Sequence, residues 1–183
     1  MEKTGIIFSQ EYLLHKTGDN HPESPTRLRA IMRGIKQAHL LENKRCILIK
    51  PRTASLDELK AVHSSSYINM IREFCRSGGG ILDEETETAV SKESFAVARL
   101  AAGGAIKATN MVMKGKLRNA FVISRPPGHH AGHSHNSGFC IFNNVALAAK
   151  SLLDDFSLKR ILILDVDAHH GNGTQEIFYD TDE

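Results

Sequence analysis

Short apolar runs alternate with longer amphipathic stretches along the 183 residues of this chain. The short runs predict strands, and apolar residues at helical spacing between them predict helices. Strands that are apolar on both faces and separated by helices are typical of a parallel sheet between two layers of helices. We therefore predict an α/β, three-layer fold for a single domain of residues 1–183. The predicted strands are residues 6–8, 46–49, 120–123 and 161–166; the predicted helices are residues 24–41, 55–62, 91–113 and 143–152, with shorter ones ending near residue 74 and beginning near residue 175.

Local signals refine several of these elements. Ser24 is the predicted N-cap of the first helix, with Pro25 at its first position. Ser55 begins a predicted capping box. The pair Gly103-Gly104 lies inside the long helix and costs about 1 kcal/mol per glycine relative to alanine, so close packing against a neighbour is the expected compensation. Residues 78–80 (GGG) lack the strand-turn-helix context of a phosphate loop, and we interpret them as a flexible connection.

Composition excludes several classes of function. Apolar residues make up 41% and charged residues 24% of the chain, which indicates a globular protein. The formal net charge is +2 without a basic block, so direct nucleic-acid binding is not expected. The three cysteines are widely spaced and odd in number, which favours a reducing compartment over a disulfide framework. With no apolar run of membrane-spanning length, we expect a soluble, cytoplasmic protein.

Candidate chemistry is concentrated in residues 165–173 (DVDAHHGNG), directly after the last predicted strand. Alternate residues of an extended segment share a face, so Asp165, Asp167 and His169 are predicted to point the same way. Carboxylate oxygen and imidazole nitrogen together suit zinc or a similar divalent ion. The alternative is that these polar residues cap a helix and solvate a loop.

A second histidine pair favours the metal-site interpretation. His129 and His130 also follow a predicted strand, and ligands of parallel sheets collect beyond the carboxyl ends of the strands. Two neutral imidazoles beside a metal-bound water would provide proton transfer for hydrolysis. Asp165 and Asn172 could each accept the other ring N–H of one histidine. We interpret His63 as structural.

Three motifs resemble the zinc-dependent histone deacetylase family, which includes acetylpolyamine amidohydrolases and acetoin-utilisation proteins. They are residues 125–131 (RPPGHHA), 138–144 (GFCIFNN) and 165–174 (DVDAHHGNGT). Weaker matches at residues 21–28 (HPESPTRL) and 62–68 extend the resemblance along the whole chain. It implies an arginase/deacetylase-like fold, and Asn172 is similar to the class II, bacterial and archaeal branch.

The resemblance also implies roles for the residues at the centre of the site. Asp167 and His169 match two of the family's three zinc ligands. His130 matches the general base, and His129 matches its electrostatic or acid partner.

Further matches concern the surroundings of these residues. Asp165 matches the partner of the first histidine, and its backbone matches part of a structural K⁺ site. Asn172 matches the partner of the second histidine. Phe139 matches a wall of the acyl-lysine tunnel, the Gly138 carbonyl matches an acceptor for the substrate N–H, and Arg27 matches an arginine of the internal product channel.

The match departs from the family at its end. The third zinc ligand and the tyrosine that polarises the substrate carbonyl come from the family's C-terminal half, which this chain lacks. Tyr12, Tyr67 and Tyr179 match none of that motif. We therefore expect residues 1–183 to be the N-terminal half of a deacetylase-like catalytic domain.

Three hypotheses for function follow. The first is a zinc-dependent deacetylase that hydrolyses the amide of acetyl-lysine or an acetylpolyamine with metal-activated water. The second is a non-catalytic deacetylase-like fragment or assembly subunit. The third is a binuclear manganese hydrolase of the arginase type, which the tandem histidines after Pro-Pro-Gly disfavour. Because a free parallel sheet edge invites association, we expect a homo-oligomer or a complex with the missing C-terminal half.

Overall fold

A computed structural model describes residues 3–42 and 45–181 of the chain. Five strands and six α-helices are present in these residues, with a 3-10 helix at Gln10–Leu14. None of the described helices is long and apolar enough to cross a membrane. The strands are β1 (Thr4–Ile7), β2 (Cys46–Ile49), β3 (Gly79–Ile81), β4 (Ala89–Ser91) and β5 (Asn119–Val122); the helices are α1 (Thr26–Gln37), α2 (Leu56–Lys60), α3 (Ser65–Arg76), α4 (Ser94–Met113), α5 (Asn144–Phe156) and α6 (Asn172–Phe178).

The main sheet is parallel, with strand order β2-β1-β5. Its central strand is covered on both faces. Ile7 faces α4, while the preceding residue, Ile6, belongs to a buried cluster with Leu28 and Ile35 of α1. Because successive side chains of a strand point to opposite faces, these contacts place helices on both sides of the sheet. The predicted α/β fold with helices on both faces is confirmed.

Helix α4 is the central helix of the domain, since it packs against α5, β5 and β1. Gly103 lies where a Cβ atom would collide with the backbone of Arg52 and Thr53. Only glycine permits this approach, which confirms the close packing predicted for the glycine pair. The capping box of α2 is also confirmed, because the Ser55 side chain accepts from the Glu58 N–H and the Glu58 carboxylate accepts in return.

The predicted strand at residues 161–166 was wrong. No strand is assigned there, and none of its described backbone amides donates to a neighbouring strand. Leu162, Leu164 and Val166 are 91%, 79% and 86% exposed, whereas Ile161 and Ile163 are half-buried. The apolar pattern indicates a capacity for burial, but a strand also requires a partner to pair with its backbone.

Two smaller predictions were also wrong. The glycines at residues 78–80 are not merely a flexible connection, because Gly79 and Gly80 form β3 and pair antiparallel with β4. Their positive φ angles, 83° and 141°, are favourable only for glycine. At the start of α1, Pro25 rather than Ser24 is the N-cap, and no side chain caps the helix. The Arg29 N–H donates to the Pro25 carbonyl, so the helix begins one turn before Arg29.

Candidate active site

The turn that carries the tandem histidines follows β5 and is anchored by a buried arginine. Arg125 is fully buried, and its peptide bond to Pro126 is cis. Its Nε and Nη2 atoms donate to the two carboxylate oxygens of Glu23 at 2.8 and 2.7 Å. Nη1 donates to the His15 carbonyl oxygen at 2.7 Å. This ion pair joins the loop before α1 to the start of the segment that carries the tandem histidines, residues 125–143, which we call the histidine turn. It also pairs two charges that would be costly to bury alone.

Each of the tandem histidines has its own hydrogen-bond acceptor. His129 Nδ1 lies 2.9 Å from Asp165 Oδ2, and His130 Nδ1 lies 2.6 Å from Asn172 Oδ1. Because a carboxylate and an amide oxygen can only accept, both Nδ1 atoms carry the proton. In the neutral rings, the Nε2 atoms are therefore the basic ones. The hydrogen bond from His129 also lowers the pKa of Asp165 below its usual range, which keeps this partner ionised.

The backbone around the histidines is braced by α5 and α6. The Thr174 N–H donates to the His129 carbonyl at 3.1 Å. Asn143 Nδ2 donates to the Ala131 carbonyl at 3.0 Å, while Asn143 Oδ1 accepts the Ala146 N–H at 3.1 Å and caps α5. One side chain thus fixes both a helix end and the chain just after the histidines.

His63 connects the same region to the loop before α3. Its Nδ1 lies 2.9 Å from the Gly132 carbonyl, and its Nε2 accepts the Asn143 N–H at 2.9 Å. Burial lowers the pKa of His63 to about 4, so the ring is neutral at physiological pH. With both nitrogens used by backbone groups, these contacts agree with the structural interpretation of His63.

The two candidate metal ligands lie at the surface. Asp167 Oδ1 and His169 Nδ1 are 3.2 Å apart. This contact is a hydrogen bond, and the spacing is also compatible with zinc, because two ligands of one tetrahedral zinc ion are separated by about 3.3 Å. The hydrogen bond from the His169 N–H lowers the pKa of Asp167, which keeps it an anionic donor. Within residues 3–42 and 45–181, however, no group of three or more His, Cys, Asp and Glu side chains is arranged to hold a metal ion.

An open cleft of 530 Å³ brings most of the predicted site residues together. Gly138 has a positive φ of 51°, and a Cβ atom there would collide with the His130 ring. Glycine is therefore required for the cleft wall to approach the histidine. Asp165 and Asn172 are not among the residues that line the cleft; they contact the Nδ1 atoms of His129 and His130. The predicted site residues that line the cleft are Arg27, His129, His130, Gly138, Phe139, Asp167 and His169.

Arg27 and His170 occupy different surroundings. Arg27 lines the cleft, donates to the Ser124 carbonyl at 2.9 Å and has a half-exposed side chain. His170 lies outside the cleft, where its Nε2 is 2.5 Å from Gln175 Oε1. Of the two histidines in residues 169–170, only His169 therefore faces the candidate active site.

Comparison with known proteins assigns the family. A model of the histone deacetylase domain matches residues 21–183. The chain is 44% identical over 179 residues to a probable deacetylase of Archaeoglobus fulgidus, with 98% of this chain and 49% of the relative covered. It is 42% identical to the polyamine deacetylase HDAC10 of Mus musculus, with 86% of this chain and 24% of that protein covered. The chain belongs to the histone deacetylase family.

Comparison with solved structures gives the same family fold. The crystal structure of the HDA15 HD domain has a TM-score of 0.90 and 37% identity to this chain, and the match covers 97% of this chain and 51% of that domain. This histone deacetylase family chain therefore spans about half the length of the archaeal deacetylase and of the solved HD domain.

Sequence reasoning missed the residues that support the histidine turn of this histone deacetylase family chain. Glu23 and Arg125 lie 102 positions apart, and each stands inside a motif that was matched for other reasons. The available signal was a charged residue of opposite sign beside proline in each motif, which could have indicated a buried ion pair. Asn143 was predicted only as the first residue of a helix and as part of the motif at residues 138–144, and its bond to the Ala131 carbonyl has no local signature.

Proposed function

We propose that this chain contributes the proton-transfer side and two metal ligands to a zinc-dependent deacetylase that hydrolyses the amide of an N-acetyl amine. The observation that carries the proposal is the pair of histidine rings, whose centroids are 4.0 Å apart and which line one cleft with Asp167 and His169. The names of the relatives support the substrate class, because they include histone deacetylases and a polyamine deacetylase. Acetyl-lysine and acetylpolyamines are accordingly the proposed substrates.

The roles of the histidines follow from their partners. The Asn172 oxygen is neutral and holds the Nδ1 proton of His130, so His130 Nε2 remains available to take a proton from the attacking water. His129 faces the carboxylate of Asp165, which stabilises a positively charged ring. His130 is therefore the proposed general base, and His129 is its electrostatic or acid partner.

Asp167 and His169 are the residues of this chain that would hold the metal. When bound, zinc supplies Lewis-acid polarisation of the amide carbonyl and of water. The backbone of Asp165 is proposed to contribute to a K⁺ site. Phe139 offers an apolar wall for the acyl-amine chain, and the Gly138 carbonyl is the proposed acceptor for the substrate N–H.

A second candidate function is that of an assembly subunit or non-catalytic fragment. It is favoured by the exposure of Leu162, Leu164 and Val166, which offers an apolar surface for another polypeptide segment. A homo-oligomer or a complex with a C-terminal half would cover this surface.

The three cysteines are free, which supports the proposed cytoplasmic location.

A deacetylase assay tests the first proposal. The full gene product is expected to release acetate from an acetyl-lysine peptide or an acetylated polyamine in the presence of zinc, and His130→Ala should lower kcat about 100-fold or more. His170→Ala is the matched control, because His170 lies outside the cleft. Equal activity of the His130→Ala variant and the wild-type protein would contradict the proposal.

The 183-residue chain alone provides a second comparison. Because it offers only Asp167 and His169 as candidate zinc ligands, the chain is expected to bind zinc weakly and to be largely inactive. Metal analysis and the same peptide assay check this, and stoichiometric zinc with robust turnover would show that residues 1–183 suffice. Light scattering tests the assembly role, which a well-behaved monomer would contradict.

A further inference from the structure

His21 lies in the loop before α1, next to the cleft-lining residues Pro22 and Glu23, and makes directional contacts with both of its ring nitrogens. Nε2 is 3.0 Å from the Glu87 carbonyl, which can only accept, so Nε2 carries the proton. In the neutral ring Nδ1 is then an acceptor, and it receives the Glu23 N–H at 3.1 Å. The Glu23 carbonyl is also 3.2 Å from Nδ1, but two acceptors do not bond to each other. His21 thus ties its own loop to the loop between β3 and β4.

The face of the cleft that His21 supports is aromatic. The rings of His21 and Phe139 meet edge to face, with centroids 4.7 Å apart and an interplanar angle of 74°. This geometry is favourable, because the positive edge of one ring faces the negative face of the other. Phe139 lines the cleft beside His130, so the contact fixes a ring that borders the space for the substrate.

Phe139 needs this support because its backbone is strained. Its φ angle is 67°, in the left-handed region that non-glycine residues seldom adopt. Such a conformation is unfavourable for a bulky residue and persists only when surrounding contacts determine it. One of those contacts comes from the buried Thr88, whose Oγ1 accepts the Phe139 N–H at 3.2 Å.

The contacts of His21 and Thr88 converge on one element. Glu87, which accepts from His21, directly precedes Thr88, which accepts from Phe139. Residues 85–87 themselves line the cleft. A single imidazole therefore couples three segments that are distant in sequence: the loop before α1, the loop between β3 and β4, and the strained aromatic wall.

We propose that His21 is a positioning residue for the substrate-binding wall, which locks Phe139 and the 85–88 loop in the geometry that receives the acyl-amine chain. The proposal rests on the deacetylase function proposed above and deepens it. His21 contacts neither of the candidate metal ligands nor the tandem histidines in the described residues. Its loss should therefore weaken substrate binding while leaving the chemical step intact.

Four variants separate the contributions of the ring and of its two nitrogens. His21→Ala removes all contacts. His21→Phe keeps the aromatic edge toward Phe139, whereas His21→Gln places a donor near the Glu87 carbonyl and His21→Asn places an acceptor near the Glu23 N–H. His39→Asn is the control, because His39 is exposed, has a side chain that pairs with Glu42 alone among the described residues, and has a positive φ that Asn tolerates.

In the full gene product, His21→Ala is expected to raise KM for an acetyl-lysine peptide about 10-fold, with kcat changed less than about 2-fold. His21→Phe should recover part of the lost KM, and His39→Asn should leave both constants unchanged. An equal fall in kcat and kcat/KM, or an unchanged KM, would overturn the proposal. If His21→Ala does not fold, the His21→Phe and His21→Asn variants carry the same comparison.

A readout without catalysis separates this proposal from the proposed function. In the 183-residue chain, His21→Ala should accelerate hydrogen exchange of the Phe139 amide about 10-fold, while the Thr174 amide is unaffected. Unchanged exchange at Phe139, or equal acceleration at both amides, would overturn the positioning role. A wild-type gene product without deacetylase activity would contradict the proposed function, and the exchange result would still decide whether His21 holds the wall.

Discussion

The two sides of the candidate active site differ in how they are built. The histidine turn, residues 125–143, begins at the fully buried Arg125 and ends at the fully buried Asn143. The ligand segment, residues 161–171, has almost continuous exposure from Leu164 to His170, and the His169 side chain is 80% exposed. One side is held by the interior of this chain, and the other lies on its surface.

The contacts of each side show that the ligand segment is held mainly by the histidine turn, whereas the histidine turn also has other support. The ligand segment and α6 attach to the histidine turn through His129–Asp165, His130–Asn172 and the Thr174 amide. The turn has additional support from Glu23 and His63 on its other side. We infer that the interior of residues 1–183 holds the proton-transfer side, whereas the metal-ligand side has fewer supporting contacts among the described residues.

Among the substitutions at the site, the largest effect is expected from breaking the buried ion pair. Arg125→Ala leaves the Glu23 carboxylate buried with only longer contacts, at 3.7 Å, to Arg27 and His15, and it should lower the free energy of unfolding by about 3–5 kcal/mol. Urea unfolding measures this change. The control is Arg76→Ala, since Arg76 is largely exposed and should cost less than about 1 kcal/mol. Equal losses for the two variants would contradict the account of a turn anchored from its interior.

Acid should weaken the same side of the site. Burial lowers the pKa of His15 and of His63 to about 4, and the positive charge of Arg125 contributes to the shift at His15. A lowered histidine pKa means that the unfolded chain binds the proton more readily, so this stability is present above about pH 6.5 and is lost as the pH falls toward 4. Each histidine should contribute about 3 kcal/mol to the loss.

Urea unfolding between pH 7 and pH 4 checks the acid prediction. A His63→Gln variant, which cannot be protonated, should show a smaller dependence of stability on pH than the wild-type chain. The same slope in both proteins would show that His63 does not take part.

A smaller effect is expected from loosening the brace behind the histidines. Asn143→Ala should lower the free energy of unfolding by about 2 kcal/mol, because it removes a helix cap and the bond to the Ala131 carbonyl. Asn143→Ser keeps an uncharged oxygen that can cap α5 but is too short to replace the bond to Ala131, so it should lose only part of that stability. Thermal unfolding of both variants measures the difference, and identical losses would contradict the dual role.

The smallest effect should come from the ligand segment. Leu162→Ala is expected to change the free energy of unfolding of the 183-residue chain by less than about 0.5 kcal/mol, because Leu162 is 91% exposed. Leu147→Ala removes a side chain that is 1% exposed in α5 and should cost about 2–5 kcal/mol. A comparable cost at Leu162 would mean that the segment is already packed.

Local patterns predicted the parts of the fold that local forces determine. Strand β2 and the capping box at Ser55 were found at their observed positions, because alternation, propensity and capping act within a few residues. Residues 161–166 have an equally good strand pattern and form no strand, since pairing depends on a neighbour that no local pattern reveals.

The site shows the same division. The residues around Asp167 and the tandem histidines were found because their chemistry is unusual for a chain interior. Glu23, His21 and Asn143 were missed because they act on segments that are distant in the sequence. Their role is visible only when those segments are folded together.

Residue-resolved hydrogen exchange of the 183-residue chain tests the central claim most directly. The Ala131 amide donates to the Gly128 carbonyl within the histidine turn, and the Thr174 amide donates from α6 to the His129 carbonyl. Both amides should exchange about 100-fold or more slowly than in the unfolded chain. The amides of residues 161–166 should exchange within about 10-fold of the unfolded rate. Equal protection of the two regions would contradict the claim that this chain completes one side of the site and leaves the other unsupported.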